Sequence, residues 1–123
     1  MERKLMSETL LTAEELPVGF EYPSDFIRFV AMEIIYLEPW FVLTGERLRT
    51  HYQGLKGRYP DRRVVPLARR EDNDDVACWD LSTGKISIVH DFADPGWESR
   101  GNRGFPDFAA WLHSAIDDML EFR

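Results

Sequence analysis

The sequence predicts an α+β fold, a single domain in which helices pack around a central antiparallel meander. Val64–Ala68, Val76–Leu81 and Ile86–His90 are short runs rich in β-branched and apolar residues, separated by Glu71–Asp75 and by Ser82–Lys85. Runs of that length bounded by Asn, Asp and Gly read as consecutive strands. After Pro23 and again after Pro106, large apolar residues recur every three or four positions, the period of a helix buried along one side. At 123 residues, with 44% hydrophobic and 13% aromatic content, the chain has the size of one domain and enough apolar side chain for one core.

Residues 1–15 place Leu5, Met6, Leu10 and Leu11 between polar ends, which suits either a loose arm or a short docked helix; the domain proper is expected over 16–123. Thr12-Ala13-Glu14-Glu15 has the spacing of a capping box, but Pro17 leaves room for only about one turn after it. Ser24 is the expected N-cap of the first long helix, with Asp25 favoured in its first turn and Phe26, Phe29, Val30 and Ile34 on its buried stripe. Ile34–Leu37 and Trp40–Leu43 flank Glu38-Pro39 and form the most apolar part of the chain, so they are expected to be core. A second helix is expected over Thr44–Leu55, burying Leu48, Tyr52 and Leu55, with Gly54 and Gly57 weakening its end. Pro106 suits the first turn of the last helix, where Phe108, Trp111, Leu112, Ala115, Ile116 and Met119 face inward. His113, Ser114, Asp117, Asp118 and Glu121 read as its solvated side.

Composition narrows the function. A formal net charge of −7 argues against a phosphate-backbone partner, since such binding depends on clustered Lys and Arg. Cys78 is the single cysteine, which excludes an internal disulfide and a cysteine-built zinc site, and a reduced, cytoplasmic setting is the simpler reading. No stretch approaches the roughly 20 apolar residues of a membrane span. No phosphate-binding glycine loop or nucleophile elbow is present, and His51, His90 and His113 show no ligand spacing.

Two groups have the residue types of a reactive site. Cys78 and His90 resemble a thiol and its base. The expected hairpin register pairs Leu81 with Ile86 and Cys78 with Val89, which puts Cys78 and His90 on opposite faces and argues against catalysis. The turn Glu71-Asp72-Asn73-Asp74-Asp75 offers carboxylates to a hard cation but lacks the glycine and distal glutamate of a calcium loop. The simpler expectation is a turn built by Asn and Asp bonding their own backbone, its charge offset by Arg69 and Arg70. No catalytic residue, metal or cofactor is therefore expected. The long segment Phe92–Gly104 has no periodicity, and its Trp97 is either pinned to the core or offered to a partner. Trp97, Arg100 and Arg103 are the leading binding candidates because Trp and Arg dominate interface hot spots. Asp72 and Asp74 accompany them.

The chain also resembles the SUKH superfamily of fungal cell-wall assembly regulators and bacterial toxin-immunity proteins. Leu16-Pro17, Tyr22-Pro23, Pro39-Trp40, Arg58-Tyr59-Pro60, the run from Val65 through Asp72 to Asp80, and Phe105–Leu112 carry the resemblance, which spans most of residues 16–116. It implies an α+β fold, no shared catalytic residues, and action by binding another protein. The expected role is a non-catalytic, immunity-like module that occludes a toxin-like protein partner, as a monomer or weak dimer, with no nucleic-acid or membrane partner. A regulatory scaffold, or a domain binding a metal or small ligand, is the alternative.

Overall fold

In the computed structural model, which describes residues 6–91 and 104–122, the chain forms a five-stranded antiparallel sheet between helices. The elements run α1 (Met6–Thr9), α2 (Ser24–Ala31), β1 (Tyr36–Leu37), β2 (Trp40–Val42), α3 (Gly45–Arg58), β3 (Val64–Arg70), β4 (Asp75–Asp80), β5 (Lys85–His90) and α4 (Phe108–Glu121). Strand order follows sequence order. The expected meander is therefore present and extended by two strands. Ile34–Leu37 and Trp40–Leu43, expected only as core, contribute a short hairpin closed by the cis Glu38-Pro39 peptide.

The β4–β5 register differs from expectation by two residues. Trp79 opposes Ile86, Cys78 opposes Ser87, and Asp75 opposes His90, so Leu81–Gly84 forms the loop with Gly84 at φ +74°. A shift of two preserves the side-chain alternation. Cys78 and His90 thus remain on opposite faces. Between Pro66 and Ala68 a bulge shifts the β3–β4 pairing and leaves Leu67 as the additional residue.

The two faces are covered differently. α3 crosses one of them, from Arg47 over the Phe41 ring to Arg58, which pairs with the buried Asp91 after β5. Leu48, Tyr52 and Leu55 are its buried stripe, as expected, although the helix continues through Gly54 and Gly57 to Arg58. α2 and α4 cover the other face with aromatic rings. Trp79 lies 4.8 Å from Phe26, 5.3 Å from Phe20 and 5.5 Å from Tyr22, and Phe26 lies 5.1 Å from Phe108. Trp111 meets Trp40 edge-on at 5.5 Å. Edge-to-face contacts set the positive rim of one ring against the negative face of the next, adding about 0.5–1.5 kcal/mol per pair to the burial itself.

Helix ends depart from the expected caps in two places. Pro23, not Ser24, occupies the N-cap of α2, and no side chain caps it. Asp107 caps α4 by accepting from the Ala110 N–H at 2.9 Å, so Pro106 precedes the helix instead of opening it. The Thr12–Glu15 capping box forms reciprocally over a single turn, with Thr12 N–H donating to Glu15 and Glu15 N–H to Thr12 Oγ1. That turn docks through a two-bond Arg49–Glu15 pair, and Leu10 and Leu11 beside it are buried.

Candidate partner-binding surface

The sheet has two edges, and they end differently. β5 is paired at Ile86 with Phe105, which exchanges both backbone hydrogen bonds with it at 2.7 and 2.8 Å. β1 is the edge on which no further strand lies among the described residues. Val42 N–H donates to Ile35 C=O, so alternation turns the Tyr36 N–H and C=O outward. Unpaired strand groups of this kind form a template for another chain.

The side chains along this edge are apolar and exposed. Tyr36 is 69% exposed, Met32 57% and Ile34 39%. This corrects the expectation that the whole segment is core: Leu37, Trp40, Val42 and Leu43 are buried, whereas Ile34 lies beyond the end of α2 and off its stripe. The physical reason is period. A helical reading puts Ile34 four residues after Val30 on the same side, but the chain leaves the helix at Met32 and switches to strand alternation. Glu33 makes that switch at φ +62°, a left-handed conformation usually given to glycine. Its N–H donates to Val30 C=O, closing the C-terminus of α2.

Carboxylates surround this strip. The β1–β2 and β3–β4 turns meet where Glu71 N–H donates to Pro39 C=O. The end of α4 joins them, because Asp118 accepts from Trp40 Nε1 at 2.9 Å and faces Arg70 at 3.5 Å. Asp118, expected in solvent, is thus half-buried and holds α4 to β2; nothing in the helix's own pattern identifies an indole 78 residues away as its partner. Arg70 also makes a two-bond pair with Asp72, and Arg69 pairs with Asp74 at 3.0 Å. Both hairpin arginines are therefore committed to carboxylates. Glu33, Glu38, Glu71, Asp117 and Glu121 are exposed and make no ion pair among the described residues.

The sequence candidates distribute as follows. Asp72 and Asp74 lie at this acidic end, and Asn73 Oδ1 accepts from Asp75 N–H at 2.8 Å, so the turn is self-bonded and arginine-offset as expected. The Arg70 guanidinium holds the Asp72 carboxyl below the usual carboxylate range. Among the described residues no three His, Cys, Asp or Glu side chains gather around a cation position. Cys78 is fully buried and burial pushes its thiol above the ordinary thiol range, while His90 bonds Asp75 on the other face. Trp97, Arg100, Arg103 and the Phe92–Gly104 loop assignment lie outside the described residues, except for Gly104 itself. No helix among the described residues is long and apolar enough to cross a membrane.

At the opposite end of the sheet a cleft of about 390 Å³ opens between the β4–β5 loop and the starts of α2 and α4. Phe20, Trp79, Phe108, Asp25, Asp80 and Asp107 are among the residues that line it. Compared with protein-family models, curated proteins and solved structures, the chain matches none of them.

Proposed function

We propose that this chain is a non-catalytic, immunity-like protein of the SUKH type that neutralises a basic protein partner by covering its active surface. The observation that carries this reading is the β1 edge: outward backbone groups, exposed Ile34 and Tyr36, and exposed carboxylates such as Glu33 and Glu38 that make no ion pair among the described residues. Apolar side chains supply the desolvated centre of an interface, and the carboxylates steer and orient a partner of opposite charge. The sheet and its helices agree with the fold that the family resemblance implies. The single cysteine is shielded from the one histidine on its hairpin, which favours binding over thiol chemistry.

The test is differential capture. Wild-type chain is used as bait in lysate of its source cell, and each retained protein is purified and titrated against wild type, Tyr36→Ala and Ile34→Asp. The expected result is a basic partner whose affinity falls by about tenfold or more in each variant and weakens as salt rises. Co-expression with that partner should also relieve any growth arrest it causes. Equal affinity for all three proteins removes the β1 surface from the interface. Relief of arrest by a variant that no longer binds overturns neutralisation by binding.

A further inference from the structure

The cleft at the other end of the sheet has the chemistry of a recognition site for a basic residue. We propose that it takes a guanidinium or ammonium group carried on a carbonyl-bearing backbone, either free arginine or an arginine within a peptide. This site is separate from the β1 edge and does not depend on the partner reading above.

Charge is the first support. Three aspartates line the cleft, and among the described residues no lysine or arginine does. Two are partly occupied: Asp107 Oδ1 accepts from Ala110 N–H, and Asp80 Oδ1 accepts from Ser82 N–H and Oγ–H while its other oxygen lies 3.7 Å from Arg62. Asp25 is exposed and its side chain makes no hydrogen bond or ion pair among the described residues. The cleft is therefore lined by one aspartate whose side chain has no partner among the described residues and by two whose carboxylates are already engaged.

Trp79 is the second and independent support. It is 7% exposed and forms part of the cleft wall, yet its indole N–H has no acceptor among the described residues. Buried indole N–H groups usually find a partner. Trp40 shows the usual outcome by donating to Asp118. The Trp111 N–H also lacks an acceptor among the described residues, but that side chain is 1% exposed and lines no part of this cleft. A ligand carbonyl would complete Trp79, and the Phe20 and Trp79 side chains lining the cleft would offer a cation aromatic contact. An aromatic wall, acidic rim and single buried donor suit a basic amino-acid residue better than an anion or a hydrocarbon. The volume lies at the small end of the range for ligand sites, which fits one side chain and its backbone.

Indole N–H resonances provide the test on the intact chain. Trp79→Phe assigns the Trp79 signal, and free arginine, an acetyl-Arg-amide peptide, acetyl-Glu-amide and sodium chloride are titrated in turn. The expected result is a saturable shift of the Trp79 N–H with one or both arginine ligands and none with the glutamate peptide. Saturation by free arginine alone identifies a free amino acid, and by the peptide alone a protein segment. Asp25→Asn, an exposed substitution compatible with folding, should weaken the saturable shift about fivefold. A linear response that chloride reproduces, or unchanged affinity in Asp25→Asn, overturns the proposal.

Discussion

Phe26 and Tyr36 belong to the same class of side chain and stand ten positions apart, yet Phe26 is 1% exposed and Tyr36 69%. Phe26 lies within an interlocked set of rings between α2, β4 and α4, where every face has a neighbour. Tyr36 touches one ring, Phe41, at 6.5 Å and otherwise faces out from the last strand of the sheet. The difference separates aromatic residues that make the fold from one the fold leaves available. Burial against several rings at once is cooperative packing, whereas Tyr36 stands on the outer side of an edge strand of two residues, with no strand beyond it among the described residues.

Substitutions at these two regions should differ in kind as well as size. Phe26→Ala removes the ring at the centre of the cluster and should cost about 3–5 kcal/mol, read as a lower midpoint in urea unfolding. A loss below about 1 kcal/mol would mean that the rings are not tightly interlocked. Glu33→Gly relieves the left-handed backbone before β1 and should raise stability by about 0.5–1 kcal/mol in the same assay. A fall in stability would show that the Glu33 side chain makes a contact worth more than the relief.

The acid limb of stability should carry a smaller contribution from the Arg49–Glu15 clamp. The Arg49 side chain, with the Thr12 N–H, holds the Glu15 carboxyl at about 2, below its ordinary value of 4.5. A depressed carboxylate stabilises the folded state fully above its unfolded pKa, and that contribution disappears as pH falls from about 4.5 through about 2. Because both partners are about one-third exposed, solvent screens the pair, and Arg49→Met should remove roughly 0.5 kcal/mol of this acid dependence. Identical acid titrations of the two proteins would assign the dependence elsewhere. Tyr36→Ala should have the least effect of all on folding, within about 0.5 kcal/mol, as expected for an exposed position. A large loss there would make Tyr36 structural and remove the contrast with Phe26.

Much of the architecture was legible because local rules and tertiary packing agree. The β3–β4–β5 meander, the Thr12–Glu15 box and the buried stripes of α3 and α4 all follow from period and turn chemistry. The opposite facing of Cys78 and His90 is common to the expected and the observed register, because an even shift leaves faces unchanged. The β1–β2 hairpin was hidden for a related reason. Its apolar residues are nearly continuous, and such runs carry no period by which to separate a strand from a buried helix end.

The candidate surface was less legible than the fold. Exposure of Ile34 and Tyr36 depends on where α2 stops and on β1 being last in the strand order. Neither follows from residue type. Asp118 illustrates the same limit, since it follows the pattern of a solvated helix face but finds Trp40 across the sheet. The sequence by itself determined the fold class, the strands flanking the acidic turn and the inward faces of the helices, because these depend on interactions within a few residues. Tertiary structure alone decided which apolar residues remain outside, which carboxylates remain unpaired and where the cleft opens. Those properties arise only when distant segments come together and their surfaces either cover one another or do not.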